Sequence, residues 1–227
     1  MRLFFLSFLL LLKIEVKAQT DVLKDPRDGH EYKTVQIGTQ TWMAENLKYA
    51  PTIVRLYSPV YYERRKHKIY VPGPKDYETD PIPNSADIFC YNDDSICCAK
   101  YGMLYTWTAA HNSCPVGWHL PSLQEFEKLL QTVGDGNMEI ARETLVKGGS
   151  SNFEALYGGW LLASYTDYQN TSQYGEKRGG TSFWTSTERK GLNANAQILS
   201  VSDKDIEFGK INKANACSVR CVKDSAP

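Results

Sequence analysis

The stretch from Cys114 to Val133, CPVGWHLPSLQEFEKLLQTV, constrains this chain more than any other. Ser122 is followed three residues later by Glu125, which makes a capping box. The hydroxyl accepts from the Glu125 N–H while the carboxylate accepts from the Ser122 N–H. Pro121 discourages any earlier helical start. Leu123, Phe126, Leu130 and Val133, with Leu129 beside them, recur at helical spacing, and Gly134 and Gly136 supply the stop. A helix over 122–133 is expected, with a cysteine at its entrance.

Residues 1–18 read as a secretory signal peptide. Arg2 gives a positive start, Leu3 to Leu12 is apolar apart from Ser7, and Val16-Lys17-Ala18 places small residues at −3 and −1 before Gln19. The apolar run is too short to span a bilayer, no second one exists, and no cysteine follows it for lipid attachment. An exported protein of the cell surface or outside it is expected, without a membrane span and not a lipoprotein. Removing 18 residues from 227 leaves 209, and the charge balance moves from 26 basic against 26 acidic to 23 against 25. That near-neutral total makes no case for nucleic acid or an anionic membrane surface. The length suits a single domain over 19–227 with one insertion.

Six cysteines (Cys90, Cys97, Cys98, Cys114, Cys217, Cys221) in an exported chain read first as disulfides. Cys97 and Cys98 are poor partners for each other because vicinal bridges are strained. Cys217 and Cys221, if on one strand, stand about 13 Å apart and cannot pair. His111, Cys114 and His119 lie close in sequence, but their spacing matches no zinc pattern.

Tyr32 to Ile37 alternates as a half-buried strand should, Gly38-Thr39 turns the chain, and Gln40 to Met43 returns, so a hairpin is expected with Trp42 in the core. Residues 52–86 differ in composition. They hold Tyr57, Tyr61, Tyr62, Tyr70 and Tyr77, the basic run Arg64 to Lys68, and Pro59, Pro72, Pro74, Pro81 and Pro83. This segment reads as an insertion or long surface loop. Tyrosines interleaved with arginines can stack on sugars and hold anions, or can simply form a solvated edge with gatekeeper charges. CYNDDSICCAK (90–100) reads as a cysteine-rich acidic turn; its Asn92, Asp93 and Asp94 lack the spacing and glycine of an EF-hand loop. Tyr101 to Ala110 suits a short helix, and Met138 to Lys147 a second amphipathic one. Asn152 to Ala163 reads as a buried strand and turn, and Ser164 to Ser182 as a polar loop. Strand signals follow at 183–187, 196–201, 206–211 and 217–222, which make an antiparallel sheet.

Five separated blocks resemble the Fibrobacter succinogenes major paralogous domain family: DGHEYKTVQIGTQTWMAENL (28–47), YGMLYTW (101–107), CPVGWHLPSLQEFEKL (114–129), FWTSTE (183–188) and SVRCVKD (218–224). The resemblance implies an exported bacterial protein in a family whose biochemical role is largely undefined. This chain departs from the pattern in its tyrosine-rich segment and in Cys97, Cys98 and Cys217. HLPSLQEFEKL also resembles the helix start of formylglycine-generating enzymes, and CPVGW with a late SVRC strand resembles C-type lectin-like domains. The likeness implies an α+β, C-type-lectin-like compact domain, disulfide-bonded, with two or three helices flanking a twisted antiparallel sheet. It also implies Cys114–Cys221, a bridge worth about 3–5 kcal/mol in the chain-entropy model. Cys90 would then pair with Cys97 or Cys98, and the remaining one with Cys217.

Three functions follow from these readings. A non-catalytic binding module, adhesin-like or glycan-binding, would use Tyr165, Asp167, Tyr168, Asn170 and Tyr174 of the polar loop, with Tyr61, Tyr62 and Arg64 beside them. Its partner would be a glycan or a cell-surface protein. The lectin calcium signatures E-P-N and W-N-D are absent from those loops, and no cofactor or metal is expected. The alternative is a structural subunit of a surface appendage or envelope assembly. A cysteine-dependent oxidase of the formylglycine-generating kind is the weakest, because the S-V-R-C block matches the structural end of that family. No Ser/His/Asp set, paired-carboxylate motif or phosphate loop supports any other enzyme. Oligomeric state is left open.

N-terminal sequencing of protein recovered outside the cytoplasm should begin at Gln19. Recovery of an intact Met1 there would contradict the leader.

Overall fold

Two tight turns fold the first three strands into an antiparallel meander: β1 (Thr20–Lys24), β2 (Glu31–Ile37) and β3 (Gln40–Met43). Gly29 and Gly38 take the left-handed conformation these turns need, at φ 75° and 57°. The computed structural model of the chain describes residues 20–51, 53, 87–162, 179–188 and 195–225. The expected hairpin 32–43 forms, with Val35 opposite Trp42, and Trp42 is fully buried.

Among the described residues the chain continues as β4 (Ile88–Phe89), α1 (Ser95–Tyr101), β5 (Leu104–Thr106), α2 (Trp107–His111), β6 (Trp118–His119), α3 (Leu123–Gly134) and α4 (Met138–Leu145). It closes with β7 (Gly180–Glu188), β8 (Asn195–Ser202), β9 (Ile206–Asn212), β10 (Ala216–Cys217) and β11 (Val222–Lys223). Three sheets result, ordered β1-β2-β3-β11-β6, β10-β5-β4 and β7-β8-β9. The architecture is α+β and almost wholly antiparallel. Among the described residues it has four α-helices where two or three were expected, and three sheets where one was expected.

The β7-β8-β9 meander lies between two cores, and strand alternation explains how. Phe183, Leu199, Val201 and Ile206 pack with Trp42, Phe126, Leu129 and Leu145. Their neighbours Trp184, Ala196 and Ile198 pack on the other side with Tyr32, Met43, Leu47 and Tyr105. Trp184 also donates its indole N–H to the Tyr105 carbonyl at 2.6 Å.

The capping box of α3 is complete: Glu125 N donates to Ser122 Oγ at 3.2 Å, and Ser122 N to Glu125 Oε2 at 2.7 Å. The helix runs through Gly134 and turns at Asp135, which is left-handed at φ 46°. α4 passes so close to Gly134 that a β-carbon on it would stand 2.8 Å from the Ala141 Cβ, which leaves room only for glycine. Phe126 is fully buried, its ring 5.1 Å from Trp42 and 6.4 Å from Phe183.

Five expectations change. Residues 95–101 of the presumed acidic turn form α1, which Asp94 caps by accepting from Ile96 N at 2.8 Å. The expected helix 101–110 is split by Gly102 and by β5, whose three residues are all buried between β4 and β10. Gly102 has φ 82°, and a β-carbon there would lie 2.7 Å from the Asn46 Cβ. Residues 152–162 form no regular strand: Gly159 and Leu161 make single bridges to Thr181 and Ala216, and Ala155 makes one to Val146 just after α4. Last, β7 starts at Gly180, inside the expected polar loop, and the expected strand 217–222 is two short strands in two sheets.

Replacing Ser122 by Ala should cost about 1 kcal/mol through the lost cap, and Phe126→Ala about 3–5 kcal/mol through the lost ring. Urea denaturation checks both, and two neutral results would contradict the packing described.

Candidate functional site

Arg220 lies between β10 and β11 and is completely buried with no acidic side chain bonded to it. All five of its N–H groups are used. Nε and Nη2 donate to Asn46 Oδ1 at 3.2 and 2.5 Å, Nη1 to the carbonyls of Met43 (3.2 Å) and Phe153, and Nη2 to the Glu154 carbonyl (3.1 Å). The guanidinium also lies over the rings of Phe153 (4.4 Å) and Phe183 (5.5 Å). Burial pushes its pKa down to about 9, with Glu45 and Glu154 opposing, so it carries its charge at neutral pH. The left-handed turns at Asn152 and Glu154 (φ 56° and 55°) accompany the two carbonyls that 153–154 present to the arginine. That is why this segment is not a regular strand.

Asn46 extends the network, since its Nδ2 donates to the Tyr101 carbonyl at 2.9 Å and reaches Ser218 Oγ at 3.4 Å. Around this hub the chain ends are bonded in: Met43 N to Cys221 O, Leu47 N to Val219 O, Trp184 N to Ser218 O and Ser218 N to Ser182 O. Cys114 and Cys221 form the expected disulfide, with Cα atoms 5.9 Å apart. The same bond removes Cys114 from any thiolate ligand set.

Cys90 pairs with Cys98, one of the two partners expected. The third bridge does not form, and Cys97 and Cys217 are buried thiols. Alternation on β10 gives the reason. Ala216 packs with Cys97, Phe89, Leu104 and Leu161, whereas Cys217 faces the opposite core with Met43, Tyr105 and Trp184. The Cys97 thiol donates to Asp94 Oδ2 at 3.3 Å, and burial raises the Cys217 pKa far above the ordinary thiol value.

Tyr61, Tyr62, Arg64, Tyr165, Asp167, Tyr168, Asn170 and Tyr174 all lie outside the described residues, as does the expected leader. The described residues do define where the two tyrosine-bearing segments attach. Leu161 pairs with Ala216, Ala216 with Thr106, and Thr106 N donates to the Asp87 carbonyl. This ladder spans three strand spacings, about 14 Å. It joins the residue after 54–86 to one just before 163–178. The Tyr105 hydroxyl also donates to the Tyr49 carbonyl at 2.7 Å, which anchors the chain just before the first segment. Gly159 N donates to Gly180 O, which anchors the far end of the second. Elsewhere, Gln197, Phe208, Gly209 and Lys210 line an open groove of about 530 Å³ on the β8–β9 face.

His119, which matches no zinc pattern with His111 and Cys114, bridges two carboxylates. Nδ1 is 2.6 Å from Asp224 Oδ1 and Nε2 is 2.9 Å from Glu125 Oε1. Partial burial opposes charge on the ring, but the hydrogen bonds and charges of Asp224 and Glu125 outweigh it and raise the His119 pKa. Burial likewise opposes charge on Glu125, and the Ser122 and His119 bonds outweigh it and lower that pKa. Neither this bridge nor the arginine hub was foreseen from sequence. The only signal was a charged residue flanked by Val219 and Cys221 in an otherwise apolar run.

Hub, disulfides and ladder together define a disulfide-bonded α+β frame from which long segments issue at one small sheet. A family model described as Fibrobacter succinogenes major domain matches residues 35–223, and the chain belongs to that family. Neither the curated proteins nor the solved structures compared with the chain gave a match. No helix among the described residues is long and apolar enough to cross a membrane.

Arg220→Lys should lower stability by about 3–5 kcal/mol, because three ammonium donors cannot serve five N–H positions and buried acceptors are left unmade. Chemical denaturation of the oxidised protein measures it, and a loss below about 1 kcal/mol would contradict the hub.

Proposed function

We propose that this protein is an exported, non-catalytic binding module of the cell surface, adhesin-like or glycan-binding, that contacts its ligand through 52–80 and 164–182. The observation that carries the reading is the ladder Leu161–Ala216–Thr106–Asp87, which brings the residue after one tyrosine-rich segment and one just before the other onto the same small sheet. Binding residues sit on loops held by a stiff scaffold. Tyrosine rings offer flat apolar faces to sugar C–H surfaces, and Asp167, Asn170 and Arg64 offer polar groups to hydroxyls or acids. The C-type-lectin-like arrangement, in which a cysteine before the main helix bridges to the last strand, is part of the same proposal. The Cys114–Cys221 bond supports it. The non-catalytic reading is supported by the late cysteines: Cys217 is buried and Cys221 is tied up, so neither serves as a reactive pair.

A structural subunit of a surface assembly is the second reading. It is favoured by the outer edge of β9, which pairs only with β8 among the described residues. Glu207 and Lys210 are exposed on that strand, and such charges blunt edge-to-edge pairing. That makes assembly the weaker account.

A glycan-array screen of the mature, oxidised chain tests the proposal, paired with a variant carrying Tyr165→Ala, Tyr168→Ala and Tyr174→Ala. The variant should keep its Tm within about 2 °C and lose at least tenfold in affinity. Should it unfold instead, with no glycan bound by the wild type, those rings are packing residues and the assembly reading gains.

A further inference from the structure

His119 stands on β6, the edge strand of the five-stranded sheet, with both ring nitrogens at hydrogen-bond distance from carboxylate oxygens. A neutral imidazole carries one N–H, so it can donate to only one of them and must turn a lone pair toward the other. The observed geometry is therefore that of an imidazolium held between two carboxylates. Its two partners are not equivalent. Glu125 belongs to α3 and is fixed by the Ser122 N–H and hydroxyl, at 2.7 and 2.8 Å. Asp224 is half exposed, follows the last strand, and is otherwise held by its N–H, which donates to the Gly117 carbonyl at 2.9 Å.

The charged groups facing the ring come from each element packed on it. Glu125 comes from α3 and Asp224 from the end of β11. Lys223 is paired with Trp118 and so lies on the other face of the β6–β11 pair from His119 and Val222.

We propose that His119, Glu125 and Asp224 form a pH-operated latch holding the C-terminal end on the entrance of α3, closed when the imidazole carries both protons and released when it loses one. Glu125 keeps its capping bonds in either state, so Asp224 is the partner that leaves. The Cys114–Cys221 bond keeps β11 in the sheet while the latch opens, which confines the movement to the residues beyond Lys223. The sign follows from the directions of the two pKa shifts. The contribution of the raised His119 is complete below the histidine's ordinary value and disappears as pH rises through its folded value. The contribution of the lowered Glu125 is present above the ordinary carboxylate value and is lost as pH falls through its folded value. The latch is closed between those two limits.

Proton NMR of the mature, oxidised chain across this range tests it, with the Asp224→Asn variant alongside and the Asp224 amide followed by hydrogen exchange. In the wild type, the His119 midpoint should lie above that in Asp224→Asn by about half a unit or more. The Asp224 amide should lose at least tenfold in protection as His119 deprotonates, and this loss should be absent in the variant. A His119 midpoint unchanged by the substitution would overturn the proposal. So would Asp224 protection that stays constant through the wild-type titration, a result that does not depend on the variant folding.

Discussion

The structure depends on a buried guanidinium whose hydrogen-bonding partners are all neutral acceptors. Placing Arg220 away from water is costly, and no carboxylate compensates it directly. Five hydrogen bonds to Asn46, Met43, Phe153 and Glu154, and two ring faces, make the site tolerable. Each acceptor belongs to a segment distant in sequence. The end of the first hairpin, the irregular 153–154 stretch and the last strands therefore have one mutual arrangement that satisfies every donor. Leaving any one out would strand a donor in the core, and that penalty makes the hub a device for specifying the fold.

The hub and the Cys114–Cys221 bond act on the same few residues in different ways. The disulfide ties the entrance of α3 to the last strand covalently and limits the unfolded chain. The arginine selects among the compact arrangements the disulfide still permits. With both in place, β5, β10 and the Leu161 bridge form one rim of the frame.

Features written into adjacent residues were legible in the sequence. The capping box of Ser122 and Glu125, the period of Leu123 to Leu130, the hairpin around Gly38 and the late meander all rest on local chemistry, and the structure contains each. Long-range arrangements were not. Residues 152–162 read as a strand because they are apolar, yet two of their carbonyls serve Arg220 from across the molecule. Leu104 to Thr106 read as helix because the surrounding apolar positions fit one, while pairing on both edges made a strand. The resemblance implied that whichever of Cys97 and Cys98 was left by Cys90 would pair with Cys217, and the alternation of β10 puts Cys97 and Cys217 in different cores. The candidate ligand residues differ again, since all of them lie outside the described residues.

Native-state hydrogen exchange tests the central claim most directly. If the arginine hub is the most rigid part of the frame, the amides of Met43, Leu47, Trp184 and Ser218, whose bonds surround it, will exchange only through global unfolding. Their opening free energies should equal or exceed those of Leu129 and Leu130 in the middle of α3. Exchange of those four amides by local opening, well before α3, would contradict the account.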